Sequence, residues 1–405
     1  MKKKIFALVI DNERLSLNLK NLKYYIGDIV KFIPDDIETY FIDITNLHLI
    51  KKKQIEIDVK KFGFKYFSPK NFKELYNFSK KKEILYIPKI KENFGNLRLN
   101  FLINIICSKR ITINVQGFFV IADKIENLSF SEKINVFMSI KLPYYFYRIA
   151  SIFGLVAKID LLIIASKNNI DQVKKGISNR IKNKIGIDFS YFKKIYRVNS
   201  DTGIHPVKKN ITQNFIVFCD SGFDHGDIIV RDGPRDEVQR EEYYQKVHNL
   251  LSYLEILLNK KAVFCQHPKA DYPKSENFEK IKESFHTIKF ETEKYIDEAY
   301  LVIFISSMSI SYAIALKKKI ILIHSILLGS FYQLRHDILS KEIELFKIDL
   351  DKEEYKIIDK IKLNNELTKN INNYNKFIDE NLVTNSKISH NDQIKEILNK
   401  EFFKT

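Results

Sequence analysis

Apolar and polar positions fall into alternating blocks along most of the chain. Compact apolar runs at residues 4–10, 38–44, 83–87, 115–121 and 161–165 read as buried strands, the fourth interrupted by Gly117. Between them, residues 72–78, 97–106, 130–153 and 170–185 repeat apolar side chains at helical spacing, with Pro143 expected to end or kink the third. Residues 196–209 lose this periodicity and carry Asp201-Thr202-Gly203 and His205-Pro206, which reads as a linker.

The pattern then restarts. Strands are expected at 214–219, 262–266, 286–290, 301–305, 319–323 and 345–350. Helices are expected at 236–258, 275–284, 291–298, 309–316 and 331–341. From Lys352 the chain is polar, rich in Lys and Asn, and helical in spacing. Strand–helix alternation in both halves predicts α/β units, each with a parallel sheet between helical layers. The expected division is residues 1–205, 206–350 and a helical tail, 351–405, packing back toward the first unit.

Composition narrows the class. The chain has 405 residues, 45% of them hydrophobic and 29% charged, enough for two cores and unlike a disordered chain. The formal net charge of +17 favours anionic partners, although the lysines are spread out and gather into no basic stripe. Cys107, Cys219 and Cys265 have no CxxC spacing, so neither a zinc site nor a disulfide framework is indicated, and a reducing, cytoplasmic setting is expected. Met1-Lys2-Lys3-Lys4 and the apolar run behind it stop at Asp11, too soon for a signal peptide. No stretch reaches the ~20 apolar residues of a membrane span, so any membrane contact is peripheral.

Candidate chemistry sits at strand exits, where open α/β sheets bind ligands. The strand at 214–219 runs into Asp220-Ser221-Gly222-Phe223-Asp224-His225. Asp220, Asp224 or His225 could take a proton from a reacting hydroxyl, and a carboxylate could serve as nucleophile. The strand at 262–266 ends in His267-Pro268-Lys269, where the imidazole and ammonium could meet a phosphate on a turn fixed by the proline. The strand at 301–305 ends in Ser306-Ser307-Met308-Ser309 before a helix, an arrangement suited to an anion. In the first unit, Asp11, Asn12 and Arg14 follow the first strand and would face an acceptor. The plain alternatives are solvated loops and ordinary serine caps.

Taken together these motifs resemble the GT-B glycosyltransferases, and within them the bacterial sialyltransferases and Kdo transferases. The resemblance rests on His267-Pro268 and Ser306-Ser307, and covers about the second half of the chain. It implies two Rossmann-like domains facing across a cleft, with C-terminal helices. It further implies a CMP-sugar donor held by His267-Pro268 and Ser306-Ser307, and Lys269 and Ser309 are candidates for the same nucleotide from their places in those two loops. A glycan or lipid-linked glycan acceptor is implied, and no cofactor or divalent metal. The short acidic motif of those families is Asp220-Ser221-Gly222 here, departing at its second position. Residues 306–313, Ser-Ser-Met-Ser-Ile-Ser-Tyr-Ala, are also similar to the serine motif of teichoic-acid glycerophosphotransferases, with Ser311 in place of their Asp.

Two alternatives stay open. One is a GT-B transferase using a UDP-, GDP- or CDP-linked donor, including the glycerophosphate type. The other is a non-enzymatic scaffold or nucleic-acid binder, against which stands the lack of a recognisable nucleic-acid motif. A dinucleotide dehydrogenase is disfavoured, because no GxGxxG follows any strand.

Overall fold

The computed structural model describes residues 2–10, 29–48, 58–90, 96–107, 109–114, 131, 134, 138, 142–167, 170, 192–201, 214–223, 236–267, 275–305, 309–329, 332, 336, 339–340, 343–383 and 387–403. Its first unit contains strands β1 (Lys3–Ile10), β2 (Glu38–Asp43), β3 (Lys65–Phe67), β4 (Lys82–Lys89), β5 (Lys109–Asn114), β6 (Ile159–Ile164) and β7 (Phe192–Arg197). Helices α1 (Phe72–Lys80), α2 (Leu97–Ile106) and α3 (Leu142–Ile152) accompany them. The second unit contains β8 (Phe215–Cys219), β9 (Lys261–Gln266), β10 (His286–Lys289), β11 (Ala299–Phe304), β12 (Lys319–His324) and β13 (Phe346–Asp349). Its helices are α4 (Glu237–Leu258), α5 (Glu276–Ser284), α6 (Thr292–Asp297) and α7 (Ser309–Ala315), followed by the tail helices α8 (Lys360–Ile371), α9 (Tyr374–Asn381) and α10 (His390–Leu398).

Every recorded strand pairing is parallel. The sheets run β3-β2-β1-β4-β5-β6-β7 and β10-β9-β8-β11-β12-β13. Counted from its own first strand, each follows three-two-one-four-five-six, the order of doubly wound nucleotide-binding sheets, and the first adds a seventh strand at its far edge. Strand order therefore reverses between β1 and β4 in one sheet and between β8 and β11 in the other. At such a switch point the two flanking crossovers part on opposite faces, which opens a crevice beyond the carboxyl ends.

Both sheets are covered on both faces, as parallel sheets require. In β1, Phe6, Leu8 and Ile10 enter one core and Ile5, Ala7 and Val9 the other. In β8, Ile216 and Phe218 face one core while Val217 and Cys219 face the other. The longest helix, α4, buries Tyr243, Tyr244, Val247, Leu250, Leu251, Leu254 and Leu258, a stripe at 3.6-residue spacing against β8 and β9. A capping box between Asp236 and Gln239 starts it, and left-handed Asn259 stops it.

Sequence patterning placed the central strands and missed parts of the first sheet. β3, β5 and β7 were not expected, and residues 196–197, assigned to a linker, close β7. Pro143 lies in the first turn of α3, where no intrahelical donor is lost, and so opens a helix instead of kinking one. The strand expected at 115–121 and most of the helix expected at 170–185 lie outside the described residues.

The tail crosses between the units. Helix α8 packs on β12 and β13, and α9 on α7. Beyond them Ile394, Leu398 and Phe402 are buried in the core of the first sheet with Phe6, Leu8 and Ile10. Hydrogen bonds follow the same path: the Ser200 N–H donates to the Leu382 carbonyl at 2.7 Å, and Ser166 Oγ to Asn381 Oδ1 at 2.6 Å.

Candidate functional site

Strand register sets the geometry. Cys219 pairs with Cys265 on one side and with Phe304 on the other. The residues that follow, Asp220, Gln266 and Ile305, therefore leave the sheet at one level. Neighbouring strands stand about 4.8 Å apart, so β9, β8 and β11 present their exits within about 10 Å of one another. That span straddles the switch point.

At the β8 exit the Asp220 N–H donates to the Cys265 carbonyl at 3.0 Å, extending the ladder by one residue. Asp220 is 3% exposed, and the Tyr243 hydroxyl donates to its Oδ1 at 3.3 Å. Gly222 follows with φ of 72°, a left-handed turn that glycine makes without strain. Phe223 then lies flat on Tyr243, centroids 4.4 Å apart and planes 6° from parallel. The start of the acidic loop is thus fixed to α4 by a hydrogen bond and a ring stack. Asp224 and His225 lie outside the described residues.

At the β9 exit His267 is half-buried, and Pro268 and Lys269 lie outside the described residues. The far end of that loop is held firmly. Ser275 caps α5 by accepting from the Phe278 N–H at 3.0 Å. Glu241, reaching over from α4, accepts from the N–H groups of Glu276 at 3.0 Å and Asn277 at 2.9 Å. Burial would raise the Glu241 pKa, but these donors and the Ser275 hydroxyl overcome it and hold the carboxyl below its ordinary range.

At the β11 exit His336 donates through Nε2 to the Ile305 carbonyl, one residue before Ser306. His336 is buried. Sequence reading missed it, because it lies about 30 residues downstream in a segment with no motif of its own. Ser306 and Ser307 lie outside the described residues, while Ser309 is half-buried at the start of α7. Two turn residues of that helix are committed to structure. Ser311 is 1% exposed, and its hydroxyl has no hydrogen-bond partner among the described residues. Tyr312 donates to Asp297 Oδ1 at 2.7 Å, and burial followed by that bond raises its pKa.

All three cysteines are buried. Burial pushes Cys107 up to about 12 and, with Cys265 beside it, raises Cys219. Among the described residues no group of three or more His, Cys, Asp or Glu is arranged to hold a metal. Asp11, Asn12 and Arg14, which follow β1 at the other switch point, lie outside the described residues. The structure thus brings Asp220, His267 and Ser309 to the carboxyl edge of one sheet, and adds His336 on the Ile305 carbonyl at the end of β11.

No protein-family profile matches the chain, and no curated protein is significantly similar to it in sequence. Solved structures overlap it along its length. The wall teichoic acid polymerase TagF, in an H444N variant, is 10% identical over 100% of this chain and 89% of its own, with a TM-score of 0.49. The S. aureus MnaA–UDP co-structure is 10% identical over 99% and 96%, with a TM-score of 0.47. Acinetobacter baumannii MurG is 6% identical over 98% and 99%, with a TM-score of 0.43. The two-domain α/β fold stands on the strand order of the two sheets.

Proposed function

We propose that the chain is a glycosyltransferase that moves an acidic sugar of the sialic acid or Kdo type from a CMP donor to a glycan acceptor. The observation that carries this reading is the level exit of β9, β8 and β11 around the switch point. A histidine, an acidic loop and a serine loop follow those strands in that order. His267 and the serine loop would hold the single phosphate of the donor, with Pro268 and Lys269 shaping and charging the same turn. One phosphate diester charge is matched by neutral donors and an imidazole without a divalent ion. Asp11, Asn12 and Arg14 would meet the acceptor from the first sheet.

In the transfer, an acceptor hydroxyl oxygen bonds to the anomeric carbon as the bond from that carbon to the CMP oxygen breaks. The hydroxyl proton passes to a base in the acidic loop, and CMP leaves with the bonding pair. Asp220, Asp224 and His225 are the candidates. Asp220 is also the residue that fixes the loop to Tyr243, so its loss has two effects that must be measured apart.

The first test is thermal unfolding with CMP, CDP, UDP and GDP side by side. A ligand bound only by the native state adds about 2.7 kcal/mol at a hundredfold excess over its Kd. CMP is expected to raise the melting temperature most, and His267→Ala to remove that rise without changing melting of the free protein. A rise with UDP or GDP instead would replace the donor, and no rise with any nucleotide would remove the enzyme reading. Single variants at Asp220, Asp224 and His225 then identify the base as the one that stops transfer from a CMP-sugar while keeping the CMP response.

A further inference from the structure

Four residues other than glycine have left-handed backbone among the described ones: Asn259, Phe290, Lys317 and Glu353. Three have local reasons. Asn259 and Lys317 close the helices α4 and α7, where the turn satisfies the last carbonyls. Glu353 leads the chain into the 3-10 turn Glu354–Ile357. Phe290 closes no helix. It follows β10 directly with φ of 76°, a conformation that crowds the Cβ of an L residue and suits a bulky side chain least. Backbone held against its own preference clusters at ligand-binding sites.

Phe290 stands at such a place. Lys289 pairs with Gln266 in the parallel ladder of β10 and β9, so Phe290 and His267 leave the second sheet side by side, about 4.8 Å apart by strand spacing. Left-handed backbone breaks the alternation that would carry the ring into a core, and Phe290 is 58% exposed. Lys289 Nζ stands 5.7 Å from the ring centroid, a cation–π contact on a largely solvent-facing aromatic.

Chemistry names the occupant. A nucleotide carries a phosphate at one end and a flat base at the other. With the phosphate at His267, the base reaches toward a neighbouring strand exit, and β9 has two neighbours. The β8 exit is filled by buried Asp220 and by Phe223 stacked on Tyr243. The β10 exit presents the ring of Phe290. Every base has a π-face that stacks on an aromatic ring, and the contact withdraws both from water. We infer that Phe290 is the platform on which the base of the donor nucleotide stacks, with phosphate and base held at the adjacent exits of β9 and β10. This placement rests on the reading that the edge binds a nucleotide, and not on which sugar is carried.

The test is calorimetric titration of the full chain with CMP, or with whichever of CDP, UDP and GDP stabilises the parent most. Phe290→Ala is expected to weaken binding at least about five-fold, and Phe290→Tyr to bind as the parent does. Phe290→Gly relaxes the backbone that alanine leaves strained, so it is expected to melt above Phe290→Ala and yet bind the nucleotide no better. A residue that served only the fold would move melting and binding together. The chain has no tryptophan, so Phe290→Trp carries a single indole, whose fluorescence the stacked base is expected to quench at the Kd found by titration. Phe290→Ala binding as tightly as the parent overturns the inference and leaves the nucleotide reading standing. So does an indole that stays unresponsive to a nucleotide that calorimetry shows to bind. A parent that binds none of the four nucleotides removes that reading, and the platform with it.

Discussion

At the scale of single residues, Ser311 shows what a motif can and cannot say. Its neighbours Ser306, Ser307, Tyr312 and Ala313 were legible in sequence as a serine motif, and Ser311 as the position where a related motif carries Asp. The sequence could not show that the position is buried, with its hydroxyl unpartnered among the described residues. A neutral side chain suits such a place, since a lone carboxylate there would be stripped of water. Ser311→Ala is expected to leave stability within about 0.5 kcal/mol of the parent or to raise it, because an unsatisfied buried hydroxyl is removed. Ser311→Asp is expected to cost at least about 2 kcal/mol in denaturant unfolding. If the aspartate variant is as stable as the parent, the pocket around α7 is wetter than its burial implies. The same contrast holds for Asp220. Its place at a strand end was readable, but its bond to Tyr243, 23 residues away, depended on how α4 docks.

At the scale of elements, legibility followed burial on two faces. β1, β8, β9, β11 and β12 are nearly unbroken apolar runs because helices cover them above and below. β3 has three residues, and β7 reads Phe-Lys-Lys-Ile-Tyr-Arg at the sheet edge, where lysines hide the pattern. What replaces apolar burial at the β3 edge is a cross-strand charge cluster. Glu38 on β2 is 2.8 Å from Lys3 on β1 and 2.7 Å from Lys65 on β3. Hydrogen bonds from Lys3 and Lys65, opposed by slight burial and joined by one from Tyr40, lower the Glu38 pKa from 4.5 to about 2. A carboxyl lowered on folding stabilises the fold fully above its unfolded value and loses that contribution as pH falls toward its folded value. The loss therefore belongs to the window from about pH 4.5 down to about pH 2. The lysines are more than half exposed, so the cluster is worth about 1 kcal/mol, well below what the full shift would suggest. Glu38→Gln is expected to lower stability by that amount at neutral pH and to flatten the acid limb of a stability–pH curve in that window. An unchanged acid limb would mean that the lysines hold their carboxylate equally well in the unfolded chain.

At the scale of the whole molecule, the second unit is followed by a tail that completes the first. The polar, Lys- and Asn-rich composition after Lys352 announced helices, yet only three-dimensional docking shows Ile394, Leu398 and Phe402 filling a core built from residues nearly 400 positions earlier. Polar contacts lock the same junction. Lys4 Nζ donates to the Phe402 carbonyl at 2.6 Å, Lys109 Nζ to the Glu401 carbonyl at 3.3 Å, and Tyr196 to the Glu401 carboxylate. Glu401 also pairs with Lys194 at 2.5 Å, and the Asn199 N–H donates to Gln393 Oε1 at 2.6 Å. This closure adds an apolar layer to the core of the first sheet and ties β1, β5 and β7 to the segment after α10. Phe402→Ala leaves a cavity between β1, β5 and α10, and is expected to cost about 3–5 kcal/mol. Calorimetry should show the loss in the melting of the first unit, with the nucleotide response of the second unit retained. Glu401→Gln keeps the packing and removes the charge, and is expected to cost far less. If Phe402→Ala melts like the parent, the tail merely rests on the first sheet. If it melts as expected, the link between the two units is the apolar core itself, and any relative motion of the two candidate half-sites must bend the chain before α10, not peel the tail away.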